Sequence, residues 1–548
     1  MYIKLNHDAM IIEQNKDSWI NIEWIMDYEE SWKVWGKSNS VEIYINKNCL
    51  QQIFMPAYYR GEIYYAETEE GFILSDDIFW IANQLRYVYI DLKMQVYFLK
   101  KGYLPQGMTL FHNIRRFVSN STVKFNNGKL VNNELKYSDD SKFNNMDDNE
   151  IYSLFKETIN NVVKSTITKD SGIFLSGGVD SRLLLAISKE YVENVTCISN
   201  CSSPYFWSNC SDVMTAERIA MLTNDKIIVD SIDYECLQIE ELDPIIKKMP
   251  FSVHTGMNFK KMCLSASKAK VSNVLCGQNM DTLYNLGPTE RMALDLHGIS
   301  QWFKRFYLSE EYFKTLPDVT GEGRFVDKMI ARIGEQMFAK VTHQPDLRLP
   351  STAVELVENF IHNNDYTVFG LSSGYQGEVR EKQFTPYEVK KELFQAKFSY
   401  LKGGDSQAVE VGGYLNGQKI YLPYSDYRMI EFFSQLRLRR KDVMAPKRFS
   451  YMYLKEFSRK YGTQFASFEK PGKKQMCERF GKVEDLYDAF EYIIFKTKWG
   501  EDIRKGAGIK ASGYTGLMHY ESLLRGYWYN RLIYLMSNEY GVEIKREE

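Results

Sequence analysis

Between residues 1 and about 136 the apolar positions fall in short runs rather than in helical stripes. Trp19–Trp24, Val41–Ile45, Glu62–Ala66 and Gly71–Leu74 are rich in aromatic and β-branched residues, and turn-prone stretches such as Asn46-Lys47-Asn48 and Glu67–Glu70 separate them. That pattern predicts β-strands. One helical segment is predicted at about Ile90–Lys101. A hairpin follows in VKFNNGKLVNN, with Asn127-Gly128 as its turn. Residues 137–149 (YSDDSKFNNMDDN) are polar, lack apolar periodicity and read as a linker.

The period then changes. Ile151, Leu154, Phe155, Ile159, Val162 and Val163 share one helical face. GIFLS is a short apolar run that ends in SGGVDS, and RLLLAISKEY continues as a helix. NVTCISN is a second strand, Ala216–Leu222 a helix, DKIIVD a third strand and NVLCG, near 273–277, a fourth. Strands alternating with helices define the α/β class, with a parallel sheet wound by helices. Beyond about 285 the chain reads as mainly helical, with aromatic-rich amphipathic stretches at Ile430–Leu436 and Met518–Ser537. The division is therefore a β-rich domain at 1–145 and a longer α/β domain at 146–548.

Composition narrows the class without naming a function. Of the 548 residues 44% are hydrophobic and 26% charged, which excludes a disordered, collagen-like or small disulfide-stapled chain. Lys+Arg (69) and Asp+Glu (71) nearly cancel, so no broad basic footprint for nucleic acid is present. The start, MYIKLNHDAMIIEQNKDSW, lacks a signal-peptide pattern, and no apolar run of about 18 residues predicts a membrane span. Eight cysteines are scattered without a CxxC pair; Cys197, Cys201 and Cys210 cluster without a His or fourth Cys at zinc spacing. The expectation is a reduced, cytosolic protein. The 38 Tyr and 32 Phe can fill a core or line a groove.

The chemistry is concentrated in Ser176-Gly177-Gly178-Val179-Asp180-Ser181, between a buried strand and a helix. Two glycines let the backbone approach a ligand closely. The N–H groups and dipole of the helix start favour phosphate. Asp180 inside such a cradle calls for a cation, and Mg2+ is the natural one. The stretch is not the ordinary P-loop, since no G-x-x-x-x-G-K-[ST] is present.

SGGVDS resembles the SGGxDS loop of N-type ATP pyrophosphatases, which cleave ATP between its α- and β-phosphates and leave AMP on the substrate. Cys276-Gly277-Gln278-Asn279-Met280-Asp281 resembles the G-E-G-x-D-E stretch of asparagine synthetases, with Gly277 on the first Gly and Asp281 on the Asp. Leu422–Phe432 (LPYSDYRMIEF) is similar to that family's V-P-F-L-D-x-R-L-V-E-F. Pro446-Lys447-Arg448 and Lys470-Pro471-Gly472-Lys473-Lys474 are similar to its lysine-bearing K…R-P-K region. RGEIYYAETEEGFILSDDI and YFLKKGYLPQGMTLFHNIRRF resemble the later half of the family's Ntn-type glutaminase domain.

The resemblance implies an AMP-forming carbon–nitrogen ligase. ATP would be held by Leu175, Ser176, Gly177, Gly178, Asp180, Ser181, Ile198 and Gly277, and Mg2+ by Asp180 and Asp281. Asp180, Asp281, Gln278 and Lys473 would carry the catalysis. Two departures shape the reading. Position 2 is Tyr2, where the family's glutaminases expose a nucleophilic Cys, and the first Cys is Cys49; a tyrosine forms no thioester. Gln278 stands where asparagine synthetases have Glu and β-lactam synthetases have Tyr, and has no titratable proton. The non-glutaminase branches, β-lactam synthetase and lasso-peptide cyclase, are therefore the nearer likeness. They imply a small-molecule or peptide carboxylate as substrate, an amine on the same or a bound substrate, and a homodimer or a biosynthetic complex. Ammonia-dependent amidation is the alternative. Arg437–Lys441 reads as a solvated helix end rather than a peptide-binding patch. Rivals of other classes are a serine hydrolase on Gly370-Leu371-Ser372-Ser373-Gly374 with His519, a tRNA-modifying pyrophosphatase, and a nucleotide-binding partner protein without catalysis.

Overall fold

A computed structural model describes residues 2–6, 9–13, 22–26, 39–46, 49–69, 71–104, 107–126, 129–135, 143, 146–202, 206–284, 401–436, 447–481, 483, 486–509 and 515–546. The Asn127-Gly128 turn, the nucleophile-elbow candidate at 370–374 and Arg437–Lys441 lie outside the described residues.

The first unit is built of strands β1 (Tyr2–Asn6), β2 (Ala9–Glu13), β3 (Ile22–Met26), β4 (Val41–Asn46), β5 (Cys49–Met55), β6 (Tyr64–Thr68), β7 (Gly71–Ser75), β8 (Tyr87–Ile90), β9 (Arg115–Arg116), β10 (Ser121–Asn126) and β11 (Lys129–Leu135). All but β8 form two five-stranded sheets, in the orders β2-β1-β7-β6-β9 and β11-β10-β5-β4-β3. Both sheets contribute to one apolar core, where Phe72 of β7 meets Phe125 of β10 edge-on at 5.2 Å. Two helices accompany them, one more than the pattern predicts: α1 (Ile78–Leu85) and α2 (Leu92–Lys101). Asp77 and Asp91 cap them by accepting from backbone N–H groups of the first turn.

The linker ends where Asp147 and Glu150 form a reciprocal capping box on α3 (Asp148–Thr166), which buries the predicted apolar face. The α/β unit continues with β12 (Ser171–Phe174), α4 (Val179–Ser188), β13 (Thr196–Cys201), α5 (Trp207–Thr223), β14 (Lys226–Ser231), α6 (Asp243–Lys248), α7 (Met257–Lys268), β15 (Asn273–Cys276) and α8 (Met280–Tyr284). After residue 400 come α9 (Gly404–Leu415), β16 (Lys419–Tyr421), α10 (Tyr427–Gln435), α11 (Arg448–Tyr461), α12 (Lys473–Phe480), α13 (Leu486–Lys496), α14 (Lys498–Ala507), α15 (Gly516–Tyr534) and β17 (Glu543–Arg546). The mixed α/β class is as expected. The third sheet is wholly parallel, in the order β14-β13-β12-β15-β16. Its edge strand β16, only three residues long, is too short to show as a periodic run.

The packing does not stop at residue 145. Residues 489–542, on α13, α14, α15 and beyond, share the core of the first unit, and β17 pairs in parallel with β8. Trp499 and Trp528 are fully buried there, the Trp528 indole donating to the carbonyl of Pro250. The largest fully buried side chains are aromatic, so much of the aromatic content among the described residues is core. Polar ties add to this: the Arg525 guanidinium donates to the carbonyl of Lys100 (2.7 Å), and that of Arg60 to the carbonyl of Ile420 in β16 (2.8 Å).

Where the units meet, Lys402 is a closely confined charge. Its ammonium lies over the Tyr59 ring, donates to the carbonyl of Gly61 and stands 3.4 Å from Glu62. Burial pulls its pKa down from 10.5 to about 8, against the opposing pull of Glu62. Below pH 8 both folded and unfolded chains hold this proton, and the burial cost is present in full. Between pH 8 and 10.5 the folded chain releases it first, so stability rises with pH. Urea unfolding of wild type and Lys402→Met should therefore diverge across pH 8–10, the wild type gaining about 1.4 kcal/mol per pH unit relative to the variant. Parallel pH profiles would remove this account of Lys402.

Candidate functional site

The winding of the parallel sheet reverses at one place. From β12 the chain runs outward through β13 to β14, then returns to the other side of β12 with β15 and β16. At such a reversal the connections leave the two neighbouring strands in opposite directions and open a crevice beyond their carboxyl ends. SGGVDS follows β12 and CGQNMD follows β15, so both motifs meet at that crevice.

The first loop is organised by its own hydroxyls. The backbone N–H of Ser176 donates to Ser181 Oγ at 3.1 Å, the two hydroxyls lie 3.1 Å apart, and the N–H of Gly178 donates to Ser176 Oγ at 3.2 Å. Gly178 is the N-cap of α4 and no side chain caps the helix, which leaves its first turn to an anion. A Cβ on Gly177 would stand 2.9 Å from Asp212 Oδ1 and 3.0 Å from Thr215 Cβ. A Cβ on Gly277 would stand 3.1 Å from the backbone nitrogen of Ser181. A side chain at Gly177 would run into α5, and one at Gly277 would crowd the backbone of the first loop. Leu175 and Ile198 are fully buried and joined by a backbone hydrogen bond of 2.9 Å, so they offer a ligand backbone rather than side chains.

The second loop is held through Asn279, whose backbone is left-handed (φ +75°) and whose side chain is buried. Its amide donates to the carbonyl of Leu401 and to Ser425 Oγ, and its oxygen accepts from Ser406 Oγ at 2.6 Å. Gln278 is half-buried beside it. The LPYSDYR stretch supports the site from behind. The Tyr424 hydroxyl donates to the backbone carbonyl of Asp180 at 2.8 Å, while Asp426 caps α10 and takes the Arg428 guanidinium.

Asp180 and Asp281 converge, and Lys447 stands between them. Its Nζ lies 2.7 Å from Asp180 Oδ2 and 2.7 Å from Asp281 Oδ1. Burial pushes the Asp180 carboxyl up to about 6; Lys447 opposes the shift and Asp281 adds to it. Burial also works against the Lys447 ammonium, but two facing carboxylates outweigh it and raise its pKa. The ammonium sees two anions, whereas buried Asp180 sees the cations of Lys447 and Arg182 and one anion. Asp180 Oδ1 is buried without a hydrogen-bond partner. Two carboxylates and an unengaged oxygen fit a divalent cation completed by substrate phosphates, as Mg2+ prefers. Among the described residues no three His, Cys, Asp or Glu side chains gather to hold a metal by themselves.

Of the lysines in the basic stretch, the structure brings Lys447 to the carboxylates. Lys473 is exposed at the first residue of α12, while Lys470 pairs with Asp212, the residue that abuts Gly177, at 2.8 Å. Sequence reasoning also passed over Glu410, a buried carboxyl on α9 that accepts from the Tyr58 hydroxyl at 2.6 Å and whose pKa burial raises. Tyr58 and Glu410 are 352 residues apart, and no local pattern joins them. Cys201 and Cys210 are buried and hydrogen-bonded to each other, which lowers the first thiol's pKa and raises the second's. No described helix is long and apolar enough to cross a membrane.

No protein-family model and no curated protein matches the chain. Among solved structures, the chain is similar to the U34-tRNA thiolase NcsA from Methanococcus maripaludis with its 4Fe-4S cluster. The identity is 16%, over 42% of this chain and 82% of that one, with a TM-score of 0.19. At that score the likeness carries no weight for fold or activity.

The Lys447 bridge is testable without substrate. Lys447→Met leaves Asp180 and Asp281 facing each other, which should cost about 2 kcal/mol in chemical denaturation without divalent cations. Millimolar Mg2+ should then stabilise the variant more than the wild type. Indifference of both proteins to Mg2+ would show that the carboxylate pair takes no cation.

Proposed function

We propose that this protein uses ATP to activate a carboxylate as an acyl-adenylate and then joins it to an amine. The observation that carries the reading is the meeting of SGGVDS and Asp281 at the sheet's reversal, with Asp180 and Asp281 sharing one cation-sized position. A carboxylate oxygen of the substrate attacks the α-phosphorus, the bond to the β-phosphate's bridging oxygen breaks, and pyrophosphate leaves. The amine then attacks the activated carbonyl, loses a proton and expels AMP.

Such chemistry asks the protein for alignment and charge cancellation more than for a nucleophile. The open first turn of α4 and the hydroxyls of Ser176 and Ser181 would hold the pyrophosphate. Mg2+ on Asp180 and Asp281 would supply the neutralising charge for the leaving group. Lys447, released from the pair, would face the phosphates. Lys473, on the stretch tied to the loop through Lys470 and Asp212, is the second cationic candidate. Gln278 would orient the substrate by hydrogen bonds.

The resemblance favours an amine carried by the substrate, as in β-lactam or lasso-peptide ring closure. The β-rich unit would then serve as a glutaminase-like domain without glutaminase chemistry. Ammonia as the amine is the alternative, and a partner protein that binds nucleotide without turnover is the reading from another class.

Pyrophosphate release from Mg-ATP in the presence of small-molecule and peptide carboxylates tests this. Asp180→Ala should lower the rate at least about 100-fold. Gly277→Val, which forces the two loops apart, should weaken ATP binding about ten-fold or more. Pyrophosphate release unchanged in Asp180→Ala would rule the mechanism out, and ATP binding without turnover on any carboxylate would favour the partner protein.

A further inference from the structure

Away from the crevice, cysteines from three elements come together. Cys201 ends β13, Cys210 lies near the start of α5, and Cys477 is on α12. Cys201 and Cys210 join Val213, Met476 and Val483 in a small apolar cluster separate from the two large cores, and Cys477 packs against it. The thiols of Cys201 and Cys210 are hydrogen-bonded to each other. Only residues 202–209 separate them in sequence. Sulfurs already in contact need only close to about 2.05 Å to form a disulfide.

This pair differs from the other buried thiols. Cys197, Cys263 and Cys276 lie inside the α/β core, where burial raises their pKa. At Cys201 the hydrogen bond that Cys210 donates outweighs burial and lowers the pKa, and the Arg479 guanidinium, itself paired with Glu217, acts in the same direction. The thiolate is the form that attacks an oxidant. A second thiol in contact is what resolves the first oxidation product. The two sulfurs are covered, with Cys201 4% and Cys210 0% exposed, but the cover is thin. Met476 of α12 and Val483 just beyond it close the cluster. Their segment is tied to α5 by Lys470–Asp212 and Arg479–Glu217, whose cationic side chains are 55% and 43% exposed. Exposed ion pairs contribute little, and local opening of such a cover costs far less than unfolding.

We infer that Cys201 and Cys210 are a reversible thiol–disulfide site that reacts with hydroperoxides. The Cys201 thiolate attacks one peroxide oxygen and the O–O bond breaks. The sulfur keeps a hydroxyl as sulfenic acid, and the other oxygen leaves as hydroxide and takes up the proton that Cys201 gave up. The Cys210 thiol then attacks that sulfur. The S–S bond forms, the S–O bond breaks, and the hydroxyl leaves with the Cys210 proton as water. Two thiols are oxidised and one peroxide is reduced; an external thiol reverses the change. The bridge lies two residues before Asp212, which abuts Gly177 and pairs with Lys470, so oxidation acts on the helix that backs the first loop.

This inference does not rest on the ATP reading, and its test uses no nucleotide. The reduced full chain is treated with hydrogen peroxide under native conditions, unfolded in iodoacetamide and digested with chymotrypsin, which cuts between the two cysteines. Mass spectrometry without reductant should find the Cys201 and Cys210 peptides linked, two hydrogens lighter than the separate peptides together, with fragment ions placing the bridge at Cys201 rather than Cys197. Dithiothreitol should abolish the linkage. Cys210→Ser should lose it and leave a Cys201 sulfenic acid that dimedone traps, whereas Cys477→Ser should keep it. Recovery of Cys201 and Cys210 as alkylated thiols after the exposed Cys236 has been oxidised overturns the proposal. A bridge from either of them to Cys477 in place of the expected one also overturns it. Both readings use the wild type and hold even if a variant fails to fold.

Discussion

The arrangement depends on one constraint, the reversal of winding between β12 and β15. Parallel neighbours whose following segments leave in opposite directions cannot have their carboxyl ends covered by their own connections. The gap must be closed by loops that fold back over it, and here those loops press together so tightly that Gly277 runs against the backbone of Ser181. The contact brings the backbones that carry Asp180 and Asp281 close together. Ser181, Tyr424 and Asn279 brace the backbone on either side of it.

Bringing two carboxylates into that gap has an electrostatic cost that the fold meets with a distant residue. Burial makes the charged form of Asp180 unfavourable, and Asp281 makes it more so. Lys447 opposes both in part, and it can do so because α11 starts beside the crevice. A lysine there is a replaceable cation. Its flexible stem holds the charge when nothing else does, and it can withdraw without disturbing the backbone that positions the carboxylates. A guanidinium in the same place would form a more rigid, directional fork and would be harder to displace.

Legibility followed the sequence distance of each interaction. SGGVDS could be read because strand, glycines and helix are contiguous, and the same holds for the capped helices α2 and α3 and the hairpin strands β10 and β11. The Asp281 loop was readable only by resemblance, since four residues of strand and a Gly would not distinguish it from other turns. Lys447 is 267 residues from Asp180 and sits in a basic stretch where several lysines look equivalent. Nothing in their order says which one the tertiary fold carries to the crevice. The Tyr58–Glu410 pair fails for the same reason: its members come from segments on both sides of the linker. The aromatic residues were ambiguous by composition, and burial of Trp499, Trp528, Tyr97 and Phe98 assigns a large share of them to core.

The same long-range packing ties the β-rich unit to the rest of the chain. Its core is completed by α13, α14 and α15, and its sheet region takes up β17 from the far end of the chain. Toward the site it supplies the Asn39 amide to the carbonyl of Ser425, the Tyr58 hydroxyl to Glu410 and the Arg60 guanidinium to β16. Ser425 in turn accepts from Asn279. Removing the unit would expose half of a shared core and release the supports of the Asp281 loop together. The interior and the polar edge of this unit thus both bear on the neighbouring crevice.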